Sequence, residues 1–331
     1  MKALVLYQDG LRIDEVPTPQ MANNQITVKI NYAALNHRDQ WIRLGQYAKI
    51  QLPAILGSDG CGEVVAVGDN SLNHLLHTKV IINPNIGWGS NTKFQDKGYQ
   101  ILGMPTQGTL AEYICVDADR AVPKPDYLQD YEAAALPLAG LTAYNALFNK
   151  GKATENSAVL ISGVGGGVAQ FAFQYALSAG CQVYVSSSKP EIIAKCIALG
   201  ASGGADYRHK EDMRLLSAQA GGFDIIIDSA GGDGMNELLS MLRPSGRYVF
   251  YGATRGLPSA LNLRMIFWNH LQILGSTMGS DEDFDNMIRF CSHHKLRPII
   301  DKVIDWKDGI SAFDRMASGS HFGKIVVAVT P

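Results

Sequence analysis

A glycine-rich segment at residues 163–167 carries the strongest chemical signal in the chain. The apolar, β-rich run 159–161 precedes it, and apolar residues at helical spacing follow it from Val168 onward. A second β-rich run, 182–186, comes next. Strand, glycine turn, helix and strand in this order present backbone N–H groups to a pyrophosphate at a helix N-terminus. The candidate cofactor-binding residues of this segment are Gly163, Val164, Gly165, Gly166, Gly167 and Val168.

A glycine turn kept only for its backbone conformation is the alternative, because turns collect glycine for that reason alone. The residues at the end of the run 182–186 indicate whether such a site would bind NAD(H) or NADP(H). An NAD-selective site usually has an acidic residue there, which accepts hydrogen bonds from the ribose hydroxyls. This chain has Ser186, Ser187, Ser188 and Lys189 instead. Hydroxyls and an ammonium can bind the 2′-phosphate that an acid would repel, so the sequence predicts NADP(H). A polar loop capped by Ser188, ahead of a helix that Pro190 opens, remains compatible with the same residues.

The elements around this segment change character along the chain. The pattern of residues 1 to about 120 predicts short strands separated by Gly, Pro and Asn turns. From about residue 130, helices and strands alternate, and the runs 223–228 and 246–251 are apolar enough to be strands buried on both faces. Alternation of this kind predicts an α/β fold with a doubly wound parallel sheet. The final apolar run, 324–329, is expected to return to the first domain.

Composition excludes several functional classes. The 331 residues are enough for about two domains. The formal charge of −2 comes without a basic stripe, so nucleic acid is not an expected partner. No apolar run approaches the ~20 residues that span a bilayer, so no membrane association is expected. The five cysteines are odd in number and widely spaced, which indicates a reducing, cytoplasmic setting. We expect the partner to be a small-molecule substrate.

Several motifs resemble the medium-chain dehydrogenase/reductase superfamily, and together they cover essentially the whole chain. They lie at residues 36–39, 56–64, 108–113, 136–144, 163–169, 228–232 and 323–326. The resemblance implies a GroES-like, β-rich catalytic domain made of residues 1–122 and 264–331. It also implies a Rossmann domain at 123–263, an active site in the cleft between the domains, and a homodimer or homotetramer. Further cofactor contacts are implied for Tyr207, Ser229, Tyr251, Gly252, Ala253 and Lys324.

The positions of the catalytic zinc ligands depart from the zinc-dependent members of that superfamily. Asn36 stands where they have Cys, Ser58 where they have His, and Leu138 where they have Cys or His. Zinc needs N, S or carboxylate donors, normally three from the protein. Residues 84–105 also contain no Cys, so the structural zinc lobe is missing. We therefore predict no metal. The pattern looks like the quinone oxidoreductase branch, whose members reduce quinones or enones with NADPH.

Hydride transfer without a metal requires donors for the acceptor oxygen, and the resemblance suggests three catalytic candidates. The amide of Asn36 can donate a hydrogen bond to a carbonyl, and Tyr47 can donate a hydrogen bond or a proton. Thr142 is expected beside the nicotinamide. For Tyr47, a partly buried aromatic whose hydroxyl bonds a backbone carbonyl is an equally good interpretation. Asp39 is expected to position the next helix, through its first turn or by pairing with Arg38.

The resulting hypothesis is an NADPH-dependent oxidoreductase that transfers hydride to a quinone or an α,β-unsaturated carbonyl without zinc. Such acceptors delocalise the charge that they gain, so they need less help from a Lewis acid than a simple ketone does. One alternative is a zinc-free alcohol dehydrogenase or carbonyl reductase. Another, from a different class, is a non-catalytic NADPH-binding protein.

Overall fold

The computed structural model describes residues 1–330. Its strands are β1 (Lys2–Tyr7), β2 (Gly10–Glu15), β3 (Gln25–Ala34), β4 (Ala54–Ile55), β5 (Asp59–Val67), β6 (Lys79–Ile82), β7 (Asn85–Ile86), β8 (Gln100–Ile101), β9 (Tyr113–Asp117), β10 (Ala121–Pro123), β11 (Ala158–Ile161), β12 (Gln182–Ser186), β13 (Gly203–Ala205), β14 (Phe223–Asp228), β15 (Leu242–Phe250), β16 (Gln272–Gly275), β17 (Ile300–Asp305) and β18 (Lys324–Ala328). Its helices are α1 (His37–Arg43), α2 (Asp130–Ala134), α3 (Pro137–Tyr144), α4 (Gly167–Ser178), α5 (Pro190–Ala198), α6 (Lys210–Ala220), α7 (Met235–Ser240), α8 (Leu263–Trp268), α9 (Asp281–His294) and α10 (Gly309–Ala317).

The chain forms two compact units. Unit 1 contains residues 1–141 and the chain from residue 279 onward, and unit 2 contains residues 142–278. None of the helices within residues 1–330 is both long enough and apolar enough to span a membrane.

Unit 1 is built around the long strand β3. Its side chains alternate in burial, with Ile26, Val28 and Ile30 fully buried, as expected for a strand that faces a core on one side. Strand β3 pairs antiparallel with β5, with β9 and with β18, in a sheet of order β10-β6-β5-β3-β18-β17. A smaller sheet has the order β2-β1-β4. The last strand thus joins the first part of the chain, as the sequence predicts.

Unit 2 is a parallel sheet of six strands in the order β13-β12-β11-β14-β15-β16. The central strands β11 and β14 carry consecutive buried side chains, from Val159 to Ile161 and from Ile225 to Ile227. Continuous burial is typical of parallel strands that are covered on both faces. The predicted α/β fold class, a β-rich domain with a doubly wound parallel sheet, agrees with these two units.

The boundaries of the two units differ from the sequence-based ones. Helix α2 packs against β3 and β5, so it belongs to unit 1 although it follows the predicted boundary at residue 122. Strand β16 pairs with β15 and therefore belongs to unit 2, although it follows the predicted boundary at residue 263. Both differences have the same cause: long-range packing, which the local pattern does not reveal, assigns each element to its unit.

Candidate functional site

Three polar side chains from distant parts of the chain meet in unit 1. The ammonium Nζ of Lys324, at the start of β18, lies 2.7 Å from Oδ1 of Asn36 and 2.9 Å from Oδ2 of Asp59. The amide Nδ2 of Asn36 donates to the same carboxylate oxygen, at 2.8 Å. All three side chains are buried. Because Nζ fixes which amide atom is the oxygen, the Nδ2 group of Asn36 is oriented as a donor, with one N–H directed to Asp59.

The pairing of β3 explains why these residues meet. Asn36 follows the end of β3 and precedes α1, Asp59 is the first residue of β5, and Lys324 is the first residue of β18. Strand β3 is hydrogen-bonded to both β5 and β18, so the ends of all three strands lie together. The cluster of Asn36, Asp59 and Lys324 is therefore a product of sheet register.

Asp39 fixes the start of α1. Its Oδ2 accepts a hydrogen bond from the backbone N–H of Asn36 at 2.8 Å, and its Oδ1 accepts one from the N–H of Gly57 at 3.2 Å. The side chain is fully buried, and burial raises the pKa of this carboxyl, an effect that the charge of Arg38 and the two hydrogen bonds oppose. The carboxylate thus connects the start of α1 to the segment before β5, and this positional role is the one that the sequence suggests.

Arg38 connects Ser58 to Tyr47. Its Nη1 donates to Ser58 Oγ at 2.6 Å and to the carbonyl of Leu102 at 2.8 Å, and its Nη2 donates to the carbonyl of Met104 at 3.3 Å. Its Nε donates to the Tyr47 hydroxyl at 3.3 Å. The hydroxyl of Tyr47 is therefore an acceptor in this bond, and its own proton remains available for donation.

In unit 2, the glycine-rich segment forms the turn that the sequence predicts. Gly163 has a φ of 63°, a left-handed conformation that favours glycine, and an added Cβ there would meet no atom within 4 Å. Gly166 is the N-cap of α4, and no side chain caps the helix. Val164 is buried, and its N–H donates to the carbonyl of Ser186. The N-terminus of α4 thus has no side-chain cap, which leaves its first amides available for a pyrophosphate.

The polar residues after β12 divide into two groups. Ser186 is fully buried, and its Oγ accepts a hydrogen bond from the N–H of Gly163 at 3.4 Å, so it supports the glycine turn. Ser187 Oγ accepts from the N–H of Lys189 at 3.2 Å. Ser188 and Lys189 are half-buried, as is Tyr207 after β13. Ser188 and Lys189 after β12, and Tyr207 after β13, thus follow neighbouring parallel strands and lie at the same edge of the sheet.

The segments after β14 and β15 are joined by backbone contacts. The carbonyl of Ser229 accepts from the N–H of Thr254 at 3.2 Å, and the N–H of Tyr251 donates to the carbonyl of Asp228 at 3.1 Å. A Cβ on Gly252 would lie 2.9 Å from the Ser229 carbonyl oxygen, so glycine is required there. Thr142, in α3, is buried, and its Oγ1 lies 3.7 Å from the sulfur of Met278. Ala253 is exposed.

Comparisons with known proteins identify the family. Residues 22–126 match the family model described as "Alcohol dehydrogenase GroES-like domain", and residues 167–293 match the model described as "Zinc-binding dehydrogenase". A "Zinc-type alcohol dehydrogenase-like protein YogA" from Leptosphaeria maculans is 33% identical, over 96% of this chain and 94% of that protein. The chain belongs to the medium-chain dehydrogenase/reductase superfamily. It is thus an oxidoreductase of a family that binds a nicotinamide cofactor.

Two further comparisons concern the whole length of the chain. An "NAD-dependent alcohol dehydrogenase" from Sulfolobus acidocaldarius is 30% identical over 100% of both chains. The solved structure described as "NAD-dependent alcohol dehydrogenase" aligns with a TM-score of 0.92 at 31% identity, covering 99% of this chain and 100% of that chain. Unit 1 and unit 2 are therefore both matched by proteins named as zinc-type or NAD-dependent alcohol dehydrogenases.

The residues of this chain do not fit the catalytic zinc of the superfamily. Asn36 and Ser58 offer neutral oxygens that already contact Lys324 and Arg38, and the side chain of Leu138 has no donor atom. The nearby carboxylate of Asp59 is engaged on both oxygens: Oδ1 accepts from the N–H of Leu138 at 2.8 Å, and Oδ2 accepts from Asn36 and Lys324. Within residues 1–330, no group of three His, Cys, Asp or Glu side chains is placed to hold a metal ion.

Two residues of these regions are not among the sequence-based candidates. Arg38 enters the sequence analysis only as a possible partner of Asp39, yet its guanidinium bonds Ser58 and Tyr47. Asp228 is fully buried, and its Oδ2 accepts from the N–H groups of Ala230 and Gly231 and from Tyr248. An acidic residue that ends an apolar strand and precedes two glycines is the signal that points to this second residue.

Proposed function

We propose that this protein reduces quinones or α,β-unsaturated carbonyl compounds with NADPH and without zinc. The observation that carries the proposal is the cluster of Asn36, Asp59 and Lys324, in which an ammonium lies between a carboxylate and the amide of Asn36, the residue that stands in place of one catalytic zinc ligand. A bound nicotinamide supplies the hydride. The protein must then bind the nucleotide, orient the acceptor and offer donors to its oxygen.

The proposed roles follow from the donor chemistry of each unit. In unit 1, Asn36 donates its free N–H to the acceptor oxygen, and the Tyr47 hydroxyl donates a hydrogen bond or a proton. In unit 2, the amides at the start of α4 bind the pyrophosphate, and Ser187, Ser188 and Lys189 bind the 2′-phosphate. Thr142, Tyr251, Gly252 and Ala253 form the side of unit 2 that receives the nicotinamide. Preorganised donors of this kind stabilise the charge that develops on the acceptor oxygen.

A second candidate is a zinc-free alcohol dehydrogenase or carbonyl reductase, and the names of the relatives support its alcohol dehydrogenase activity. Their names refer to alcohol dehydrogenases and to NAD. The absence of an acid among Ser186, Ser187 and Ser188 favours NADPH for this chain, and the missing zinc ligands favour an acceptor that delocalises charge.

A turnover panel distinguishes the candidates. NADPH and NADH oxidation is measured with quinones, enones, aldehydes and ketones, and the reverse reaction is measured with alcohols. The proposal predicts a preference for NADPH with quinones or enones. Turnover restricted to alcohols and simple carbonyls supports the second candidate, and NADPH binding without any turnover supports the non-catalytic one.

We further propose a homodimer or homotetramer in the cytoplasm. Exposed apolar side chains cluster along one segment of unit 2: Leu257 is 86% exposed, Leu263 68%, Phe267 65% and Trp268 75%. Apolar surface of this extent is typical of protein interfaces. The five cysteines are free thiols, which suits a reducing compartment. Light scattering coupled to size exclusion tests the oligomer, and a monomer at micromolar concentration contradicts it.

A further inference from the structure

An arginine reaches across the nucleotide-binding edge of unit 2. Arg255 follows β15 and Tyr207 follows β13, and the strands β12, β11 and β14 lie between these two in the sheet. Nevertheless, the guanidinium carbon of Arg255 lies 4.9 Å from the centre of the Tyr207 ring. Both residues lie beyond the carboxyl ends of parallel strands, where α/β folds of this type bind their nucleotides. The side chain of Arg255 therefore covers the part of the edge that Tyr207 occupies.

The backbone that carries Arg255 is fixed. Its N–H donates to the carbonyl of Ala230 at 2.8 Å, and the N–H of Gly232 donates to the carbonyl of Gly256 at 2.9 Å. Gly232 has a φ of 62°, and a Cβ there would lie 2.9 Å from the carbonyl oxygen of Arg255. The segment around Arg255 thus lies directly on the turn after β14, which Asp228 organises through the amides of Ala230 and Gly231.

The charges near Tyr207 single out Arg255. The neighbouring Arg208 is bound to Asp206, with Nε 3.0 Å from Oδ1, and this hydrogen bond lowers the pKa of Asp206 to about 2. The charge of Arg208 is therefore already compensated. Arg255 is exposed, and within residues 1–330 it forms no ion pair. A planar guanidinium that rests on an aromatic ring keeps its edge donors available for a phosphate.

We propose that Arg255 is a specificity residue that binds the 2′-phosphate of NADPH, together with Tyr207 and Lys189. The inference rests on the proposed NADPH preference and adds a residue that follows β15, three strands away from β12 in the sheet. Arginine binds phosphate through two parallel N–H···O bonds to anionic oxygens, whereas a free 2′-hydroxyl offers a single neutral oxygen. Arg255 thus contributes to binding only when the phosphate is present.

The test measures binding of adenine nucleotides without turnover. Isothermal titration compares 2′,5′-ADP with 5′-ADP for the unaltered protein, for Arg255→Gln and for the matched control Arg208→Gln. We expect Arg255→Gln to lower the affinity for 2′,5′-ADP by about 10–100-fold, the effect of losing a charge-assisted hydrogen bond. The affinity for 5′-ADP should stay unchanged. Arg208→Gln should change either affinity less than about threefold, because its charge is compensated. Arg255→Lys should keep part of the affinity for 2′,5′-ADP, because its ammonium retains the positive charge but not the planar, two-donor geometry of the guanidinium.

Three outcomes overturn the assignment of Arg255, and they differ in what else they affect. If the unaltered protein does not discriminate between the two nucleotides, the NADPH preference itself is wrong, and the role of Arg255 with it. If the unaltered protein discriminates and Arg255→Gln discriminates equally well, only the assignment of Arg255 is wrong. A loss of both affinities together indicates a structural role, and the thermal unfolding midpoint of the variant identifies that case.

Discussion

Lys324 and Asp59 form a buried ion pair that joins the two ends of the chain in unit 1. Nζ lies 2.9 Å from Oδ2, and the side chains are 3% and 0% exposed. A charge removed from water in this way is tolerated only with close partners, and here Asn36 and the N–H of Leu138 supply the remaining hydrogen bonds. The same ion pair orients the side-chain amide of Asn36, the proposed donor to the acceptor oxygen. The stability of unit 1 and the position of this donor therefore depend on the same two residues.

The first prediction concerns this pair. Lys324→Met leaves the Asp59 carboxylate buried without its counter-ion, so we expect the free energy of unfolding to fall by about 3–5 kcal/mol. Lys79→Met is the matched control, because Lys79 pairs with Asp130 at 2.7 Å but its side chain is 42% exposed. The control should lose no more than about 1 kcal/mol. Urea unfolding at neutral pH measures both, and equal losses contradict the assigned difference.

Asn36→Ala removes the proposed donor to the acceptor oxygen. Turnover with quinones and enones should fall, by less than the ~10²–10³-fold that a main oxyanion donor provides, because these acceptors spread their charge. NADPH affinity should be almost unchanged. Steady-state kinetics and fluorescence titration of NADPH separate the two effects. Unchanged turnover combined with weaker NADPH binding makes Asn36 a cofactor ligand instead.

Metal independence is the third prediction. Activity should survive exhaustive dialysis against a chelator, and elemental analysis should give zinc well below one atom per chain, because the donor set around Asn36 and Ser58 does not suit the ion. One tightly bound zinc whose removal abolishes turnover would falsify the proposal and implicate His37, Asp59 and Cys61.

Local signals in the sequence predict unit 2 well. Strand β11, the turn at 163–167, helix α4 and strand β12 are consecutive in the sequence. The strand and helix patterns on either side therefore support the prediction of the glycine turn. Exposed features of the same edge are harder to predict. The contact of Arg255 with Tyr207 depends on how the segment after β15 is anchored on the turn after β14, and neither sequence pattern contains that geometry.

The cluster in unit 1 illustrates a second limit of the sequence. Each of Asn36, Asp59 and Lys324 lies in a recognisable motif, but Lys324 is predicted from the resemblance as a cofactor contact, whereas the structure places its ammonium on Asn36, 288 positions away. The pairing of β3 with both β5 and β18 determines this meeting. A single sequence contains the strands but not the register that aligns their ends.

The fourth prediction is a pH dependence of stability. Asp281, at the start of α9, accepts hydrogen bonds from Arg120 at 2.7 and 3.0 Å and from Asn83 at 3.0 Å. Burial alone would raise the pKa of Asp281, but the hydrogen bonds and the charge of Arg120 outweigh it and lower the pKa below its usual value. The stabilisation is therefore present above the pKa of the unfolded state and is lost as the pH falls through the lower, folded-state pKa.

Asp281→Asn should accordingly be less stable than the unaltered protein at pH 7, by no more than about 1 kcal/mol, because solvent screens the half-exposed carboxylate. The difference should shrink below about pH 4, where the carboxyl becomes protonated in the unaltered protein as well. Urea unfolding at pH 7 and at pH 3 provides the comparison. A difference that stays constant over this range means that the charge of Asp281 does not contribute.

The last prediction concerns the cofactor and the residues after β12. Lys189→Ala should weaken NADPH binding by about 1–3 kcal/mol, the range for a lost hydrogen bond to a charged group, and leave NADH almost unaffected. Ser187→Asp places a carboxylate where Ser187 Oγ now accepts from the N–H of Lys189. The new charge repels a 2′-phosphate and can accept hydrogen bonds from a ribose hydroxyl, so NADPH affinity should fall more than NADH affinity. Both affinities are measured by fluorescence titration, and equal losses for the two cofactors in either variant contradict the placement of the 2′-phosphate at this turn.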